Sequence, residues 1–196
     1  MFYSFIKVFI YVLAKIFLRL EISGTENIPL NGPVVIASNH VSLLDPPIIG
    51  VASSRKIHFM AKQELFVPIL GSIYRTLGAF PVRRGAADRN AIKYGIDLLL
   101  AEKVLAIFPE GTRSKTGKPK EFATNGLKML YKFAPDSYFV PISINNSWKM
   151  TKFGQFPLGL GVKLDFTIHK PMKISEHKFE EIFEYTEKII TEHIKI

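Results

Sequence analysis

The chain has 196 residues and no cysteine, with 26 lysines and arginines against 17 aspartates and glutamates, a formal charge of +9. That length fits one domain able to bury its own core, and the missing cysteines exclude a disulfide framework and any thiolate metal site. The positive balance favours an anionic partner, whether nucleic acid, an acidic membrane surface or a phosphorylated substrate.

Residues 2–20, FYSFIKVFIYVLAKIFLRL, predict a helix. No small-residue cleavage site of a signal peptide follows it. A spanning helix needs about 20 mostly apolar residues, whereas Lys7 and Lys15 leave only Val8–Ala14 uninterrupted by charge. On a helix, Ser4, Lys7, Lys15 and Arg19 share a sector of roughly 120°. Phe2, Phe5, Phe9, Val12, Leu13, Ile16 and their apolar neighbours fill most of the rest. A wide apolar face beside a narrow cationic stripe suits a helix lying in the membrane interface; the alternative is a core helix of a soluble domain. Residues 1–22 are therefore read as an amphipathic membrane-anchoring helix and 23–196 as the globular unit.

Ser23–Pro33 is turn chemistry, rich in glycine, proline and asparagine. Val34–Ser38 reads as a buried strand, and Ile57–Met60 as another. Pro46 and Pro47 are read as stopping the chain. Asp88 is placed to cap a helix over Arg89–Lys103, with Ile92, Ile96 and Leu99 on one face. Val104–Phe108, Tyr138–Ile144 and the alternating Val162–Ile168 are strand-like, and Ser175 opens a final helix whose apolar residues recur at helical spacing. Strands alternating with helices predict an α/β fold with a mostly parallel central sheet flanked by helices.

In such sheets, sites form beyond the carboxyl ends of the strands. Three strands end in polar segments there: Asn39-His40, Pro109–Ser114 and Asn145–Ser147. His40 can take a proton near neutral pH, and a carboxylate on its second ring nitrogen, such as Asp45, would fix the tautomer. Five residues exceed the i+3 and i+4 spacing of one helical face, so a turn from strand into helix must join the pair; the alternative is a capping aspartate beside a satisfied histidine. Ser38 and Ser42 lie close, but no G-x-S-x-G elbow occurs. Without a protein nucleophile, the histidine would activate a substrate hydroxyl. Gly111–Pro119 fails as a P-loop, since Pro119 stands where Ser or Thr must hold magnesium. Arg113 in that turn suits a phosphate monoester or is a solvated loop charge.

Together these segments resemble the 1-acyl-sn-glycerol-3-phosphate (lysophosphatidic acid) acyltransferases. Asn39-His40-Val-Ser-Leu-Leu-Asp45-Pro46 is similar to the family's N-H-x-x-x-x-D-P block, and Gly78–Gly85 (GAFPVRRG) to its second. Phe108-Pro-Glu-Gly-Thr-Arg-Ser114 matches the third and Val140-Pro141-Ile142 the fourth. Gly24–Pro29 and Met60–Phe66 also fit, so the resemblance covers about residues 20–170.

The resemblance implies a glycerophosphate-acyltransferase-like fold and a peripheral or monotopic enzyme on the cytoplasmic face of the membrane. His40 would be the general base for the sn-2 hydroxyl of lysophosphatidate, with Asp45 orienting it. The hydroxyl would attack an acyl thioester, acyl-ACP or acyl-CoA, giving phosphatidic acid with no metal, cofactor or covalent enzyme intermediate. Backbone N–H groups near Gly111 and Thr112 would hold the oxyanion. Arg84, Glu110 and Arg113 would bind the acceptor, and Lys62 is a further phosphate candidate. Two departures bear on the head group: Arg83 replaces an acidic residue of many relatives, and Phe122–Gly126 (FATNG) lacks the lysine of their F-K-x-G. Another lysolipid or amino-lipid acceptor therefore stays open. Lys115, Lys118 and Lys120 would meet an acidic carrier protein or be solvated loop lysines. From another class, a non-catalytic peripheral protein that holds anionic lipid also fits everything except His40 with Asp45. A nucleic-acid partner is not expected, because the aromatics are not interleaved with the basic residues.

Overall fold

A computed structural model describes residues 2–83, 88–114, 116–151 and 161–194. Eight strands form one sheet: β1 (Glu21–Ser23), β2 (Val34–Ser38), β3 (Ile57–Lys62), β4 (Ala79–Val82), β5 (Val104–Ile107), β6 (Tyr138–Asn145), β7 (Asp165–Ile168) and β8 (Met172–Lys173). The order is β1-β7-β6-β2-β5-β3-β4, with β8 also on β6. All pairs are parallel except β6 with β7 and β6 with β8. The sheet is therefore mostly parallel, as expected. Every residue of β2 is buried, which explains why Val34–Ser38 does not alternate: helices cover both faces of a central parallel strand.

Among the described residues there are six α-helices: α1 (Phe2–Leu18), α2 (Asp45–Ala52), α3 (Pro68–Thr76), α4 (Arg89–Leu100), α5 (Thr124–Phe133) and α6 (Phe179–His193). From β2 through β4 the chain winds one way along the sheet; from β4 through β6 it winds back, laying β5 between β2 and β3. Right-handed crossovers then place α2 and α3 on one face and α4 and α5 on the other. Packing agrees. Ile48 and Ile49 of α2, with Ala14 and Leu18 of α1, bury against Ile36, Val140 and Ile142. Leu99 of α4, Leu127 of α5 and Ile182 of α6 bury against Val35, Ala37 and Leu105.

Several boundaries differ from expectation. Pro46 and Pro47 do not stop the chain; they occupy the first turn of α2, where a missing N–H costs nothing and the fixed φ is already helical. Pro68 opens α3 in the same way. Asp88 caps α4 as expected, its Oδ1 accepting the Ala91 N–H at 3.1 Å. The helix ends at Leu100 rather than Lys103. Glu102 takes the left-handed conformation (φ 57°), Lys103 N–H donates to Leu98 and Glu102 N–H to Leu99. That pair of bonds closes a helix end even without glycine. β7 begins at Asp165 rather than Val162, and α6 at Phe179, after a 3-10 turn over Ile174–Glu176.

α1 is helical as expected, and among the described residues no helix is long and apolar enough to cross a membrane. Its inner side, Ile6, Ile10, Ala14 and Leu18, faces the domain, while Phe5, Val8, Phe9, Val12 and Ile16 are exposed. The cationic stripe is divided. Lys7 turns inward, donates to the Ser53 carbonyl and has its pKa lowered by burial. Lys15 and Arg19 remain exposed.

Candidate active site

β2 delivers Asn39 and His40 past its last residue. Asn39 spends its amide on the neighbouring strand: Nδ2 donates to the Ile144 carbonyl (2.9 Å) and Oδ1 accepts the Ile144 N–H (2.8 Å). That reciprocal pair stands in for two ladder bonds and fixes where His40 begins. The four residues after His40 turn so that α2 starts at Asp45. Asp45 Oδ2 then accepts from His40 Nδ1 (3.0 Å), the Val41 N–H (2.8 Å) and the Ser42 N–H (2.7 Å). The tight turn brings the pair together where a straight helix would not.

The consequences are chemical. Nδ1 faces a carboxylate and carries the proton, so Nε2 holds the lone pair. The His40 ring stacks on Phe108, centroids 4.1 Å apart, and is 7 % exposed. Neither nearby serine serves the histidine: Ser38 Oγ donates to the Asn39 carbonyl (3.1 Å), and Ser42 Oγ accepts the Leu44 N–H (3.2 Å).

β5 lies beside β2, so the loop after it reaches His40 directly. Glu110 is buried, and both its oxygens accept main-chain N–H groups: Oε1 from His40 (3.0 Å) and Oε2 from Lys120 (3.2 Å). Burial raises its pKa, opposed by those two bonds. Ser114 N–H donates to the His40 carbonyl at 2.7 Å, so the 109–114 loop grips both main-chain groups of His40. Glu110, expected on the acceptor, is engaged by one protein N–H on each oxygen.

Gly111 turns the loop at φ 66°. Its N–H, expected near the oxyanion, donates to the Phe108 carbonyl at 2.9 Å, which leaves the Thr112 N–H as the candidate donor. Lys120, read from sequence as a surface charge, bonds Thr112 Oγ1 (2.8 Å) and the Arg113 carbonyl (3.0 Å). Nothing in its spacing pointed there, because it lies ten positions beyond Glu110. Gly117, at φ 81°, lies so close to Trp148 that an added Cβ would approach Nε1 to 2.5 Å.

The remaining candidates follow the strand order. Lys62 ends β3 and pairs with Glu64 at 3.2 Å, both largely exposed. Arg84 lies outside the described residues. Its neighbour Arg83 donates from Nε to Gln63 (3.1 Å) and from its N–H to Asp88 (2.9 Å). The edge β2-β5-β3-β4 thus carries His40 and Asp45, then Glu110 to Arg113, then Lys62, then Arg83. β6 runs parallel to β2, so its polar end lies on the same edge as expected; there Asn145 Nδ2 donates to the His193 carbonyl at the end of α6 (2.9 Å).

Comparison with known proteins supplies the context. The acyltransferase family model matches residues 19–145. A 1-acyl-sn-glycerol-3-phosphate acyltransferase of Bacillus subtilis is 32% identical over 161 residues, 79% of this chain and 79% of that protein. A chloroplastic 1-acyl-sn-glycerol-3-phosphate acyltransferase of Arabidopsis thaliana is 29% identical over 80% of this chain but only 44% of its own length. The crystal structure of the 1-acyl-sn-glycerophosphate acyltransferase PlsC from Thermotoga maritima superposes with a TM-score of 0.77 at 25% identity, covering 97% of this chain and 78% of that one.

Proposed function

The chain belongs to the 1-acyl-sn-glycerol-3-phosphate acyltransferase family, and from that premise we propose that it moves a fatty acyl group from a thioester to the sn-2 hydroxyl of 1-acyl-glycerol 3-phosphate. The observation that carries the reading is His40 held at Nδ1 by Asp45, with no serine on its other nitrogen. Nε2 takes the proton of the substrate hydroxyl as its oxygen bonds the thioester carbonyl carbon. A tetrahedral oxyanion forms, for which the Thr112 N–H is the candidate donor. The C–S bond then breaks, and the imidazolium returns its proton to the departing sulfur. Asp45, held in place by the Val41 and Ser42 N–H groups, stabilises the imidazolium between those steps. Holding alcohol and thioester in reach of one base supplies much of the acceleration.

Acyl carrier protein or coenzyme A carries the donor in this reading. Arg113, Lys62 and Arg84 remain the acceptor-phosphate candidates, and Lys120, seated on Thr112 and Arg113, adds a cation beside them. α1 holds the enzyme at the cytoplasmic face of the membrane, its exposed apolar side in the interface.

The test is acyl transfer from labelled donor to a panel of lysolipids. His40→Ala should fold and bind lipid yet lose about 100-fold or more in turnover, and Asp45→Asn should lose activity in the same direction. Near-normal turnover by a folded His40→Ala protein would sink the mechanism.

A further inference from the structure

α3 has almost no inside. Of its nine residues only Gly71 is buried. Ile69 is 78% exposed, Leu70 51% and Ile73 39%, and Val67 leads into them. A helix this short is marginal in water unless something covers its apolar side, and a contiguous exposed apolar ridge marks an interaction surface.

The ridge lies on the same side of the sheet as α1. Both helices lie on the α2 side of the sheet and converge on the start of β3. The Lys56 ammonium sits over the Tyr3 ring of α1, 5.6 Å from its centroid. Gly78, two residues past α3, approaches so closely that an added Cβ would lie 2.2 Å from the Ile57 carbonyl oxygen. Charge distinguishes this side from the other. α1, α2 and α3 carry no exposed carboxylate, Asp45 being buried, whereas α6 on the opposite side carries five glutamates. Lys15, Lys56 and Arg75 are exposed cations near the apolar residues, and the exposed carboxylate that precedes α3, Glu64, is paired with Lys62.

We propose that Val67–Ile73 is a second bilayer contact, docking together with α1 on a surface of anionic lipid. The cations choose the occupant. A second copy of this chain would set like charges against one another, while phosphate head groups neutralise them and the acyl region takes the apolar side chains. The proposal extends the interfacial placement of α1 and holds whichever lysolipid is the acceptor.

Vesicle partition of the full chain tests it, on phosphatidylglycerol mixed with phosphatidylcholine and on phosphatidylcholine alone. The double substitution Ile69→Asp with Ile73→Asp should lower partition to the anionic vesicles about ten-fold or more, α1 being intact, with unchanged turnover of detergent-dispersed lysophosphatidate. Because the chain has no cysteine, Ile69→Cys can carry a single environment-sensitive fluorophore, and anionic vesicles should shift its emission to the blue. Unchanged partition of the double variant, or a probe that stays in water, overturns the proposal. So does a wild-type dimer that the double substitution dissolves while vesicle binding persists, which would give the ridge to a second copy. Turnover judges the acyltransferase reading separately, since partition needs no reaction.

Discussion

Glu110 holds His40 by its main chain: Oε1 accepts the His40 N–H at 3.0 Å, from a residue 70 positions earlier in the chain. Asp45 holds the same residue by its ring. The histidine is thus fixed at both ends by carboxylates from different segments, the start of α2 and the loop after β5, and the Nε2 edge of the ring is left for a substrate.

Glu110→Gln separates positioning from head-group binding. The amide offers one acceptor, so its N–H₂ must confront the N–H of either His40 or Lys120. A buried unmatched donor costs about 1–3 kcal/mol. Expected is a fall in kcat of about ten-fold or more for every acceptor, phosphorylated or not, with little change in acceptor KM. A rise in KM confined to phosphate-bearing acceptors would return Glu110 to the head group.

Arg113→Ala should do the opposite. A charge-assisted contact of about 1.5–3 kcal/mol implies a loss of about ten- to a hundred-fold in kcat/KM for lysophosphatidate, with donor affinity spared. Steady-state kinetics with each substrate varied in turn decide it. Normal use of lysophosphatidate with weakened donor binding would move Arg113 to the thioester side.

His169 predicts an acid limb in stability. It is buried, its Nε2 lies 2.7 Å from Ser143 Oγ, and burial, then the His193 charge, lowers its pKa from 6.5 to about 4. The folded state therefore resists a proton that the unfolded chain accepts. Stability is full above pH 6.5 and is lost as pH falls toward 4, by an amount on the order of 3 kcal/mol. Thermal melts across that window should show the fall, and His169→Gln should flatten it. Parallel curves for both proteins would contradict the assignment.

The pose of α1 is open to labelling. A cysteine placed at position 2 should stay protected from an impermeant reagent applied outside intact cells, because a spanning pose would carry a lysine into hydrocarbon at about 2.5–3.5 kcal/mol. Removing residues 2–18 should weaken vesicle binding and spare turnover of dispersed acceptor best. Labelling from outside would mean the helix crosses.

What the sequence made legible was whatever depends on near neighbours. Asp88 announces α4 because a cap reads its bond three residues on, and Val34–Ser38 announces a strand because nothing polar interrupts it. α2 and α3 escaped because each is short, opens on proline and contains glycine, and α3 keeps its apolar residues outside, so no inward stripe exists to be read. His40 and Asp45 were visible as a pair, since a turn of five residues is local. The partners of Glu110 were not. They depend on β5 sliding between β2 and β3, a fact of sheet order that no spacing encodes. Nor could spacing tell that the Gly111 N–H would close its own turn on Phe108 or that Lys7 would fold inward.

β1 pairs with β7 across the whole length of the chain, Glu21 beside Asp165, and the end of α1 is tied there too, Leu18 accepting the Leu164 N–H. A ribosome makes the first member of that pair long before the second. The pairing that ties the end of α1 into the sheet therefore waits for β7, whereas α2, which packs on α1, is made early. The tie between β1 and β7 thus closes the sheet late in synthesis, after β2 and β5, the strands that carry the candidate site, have been made.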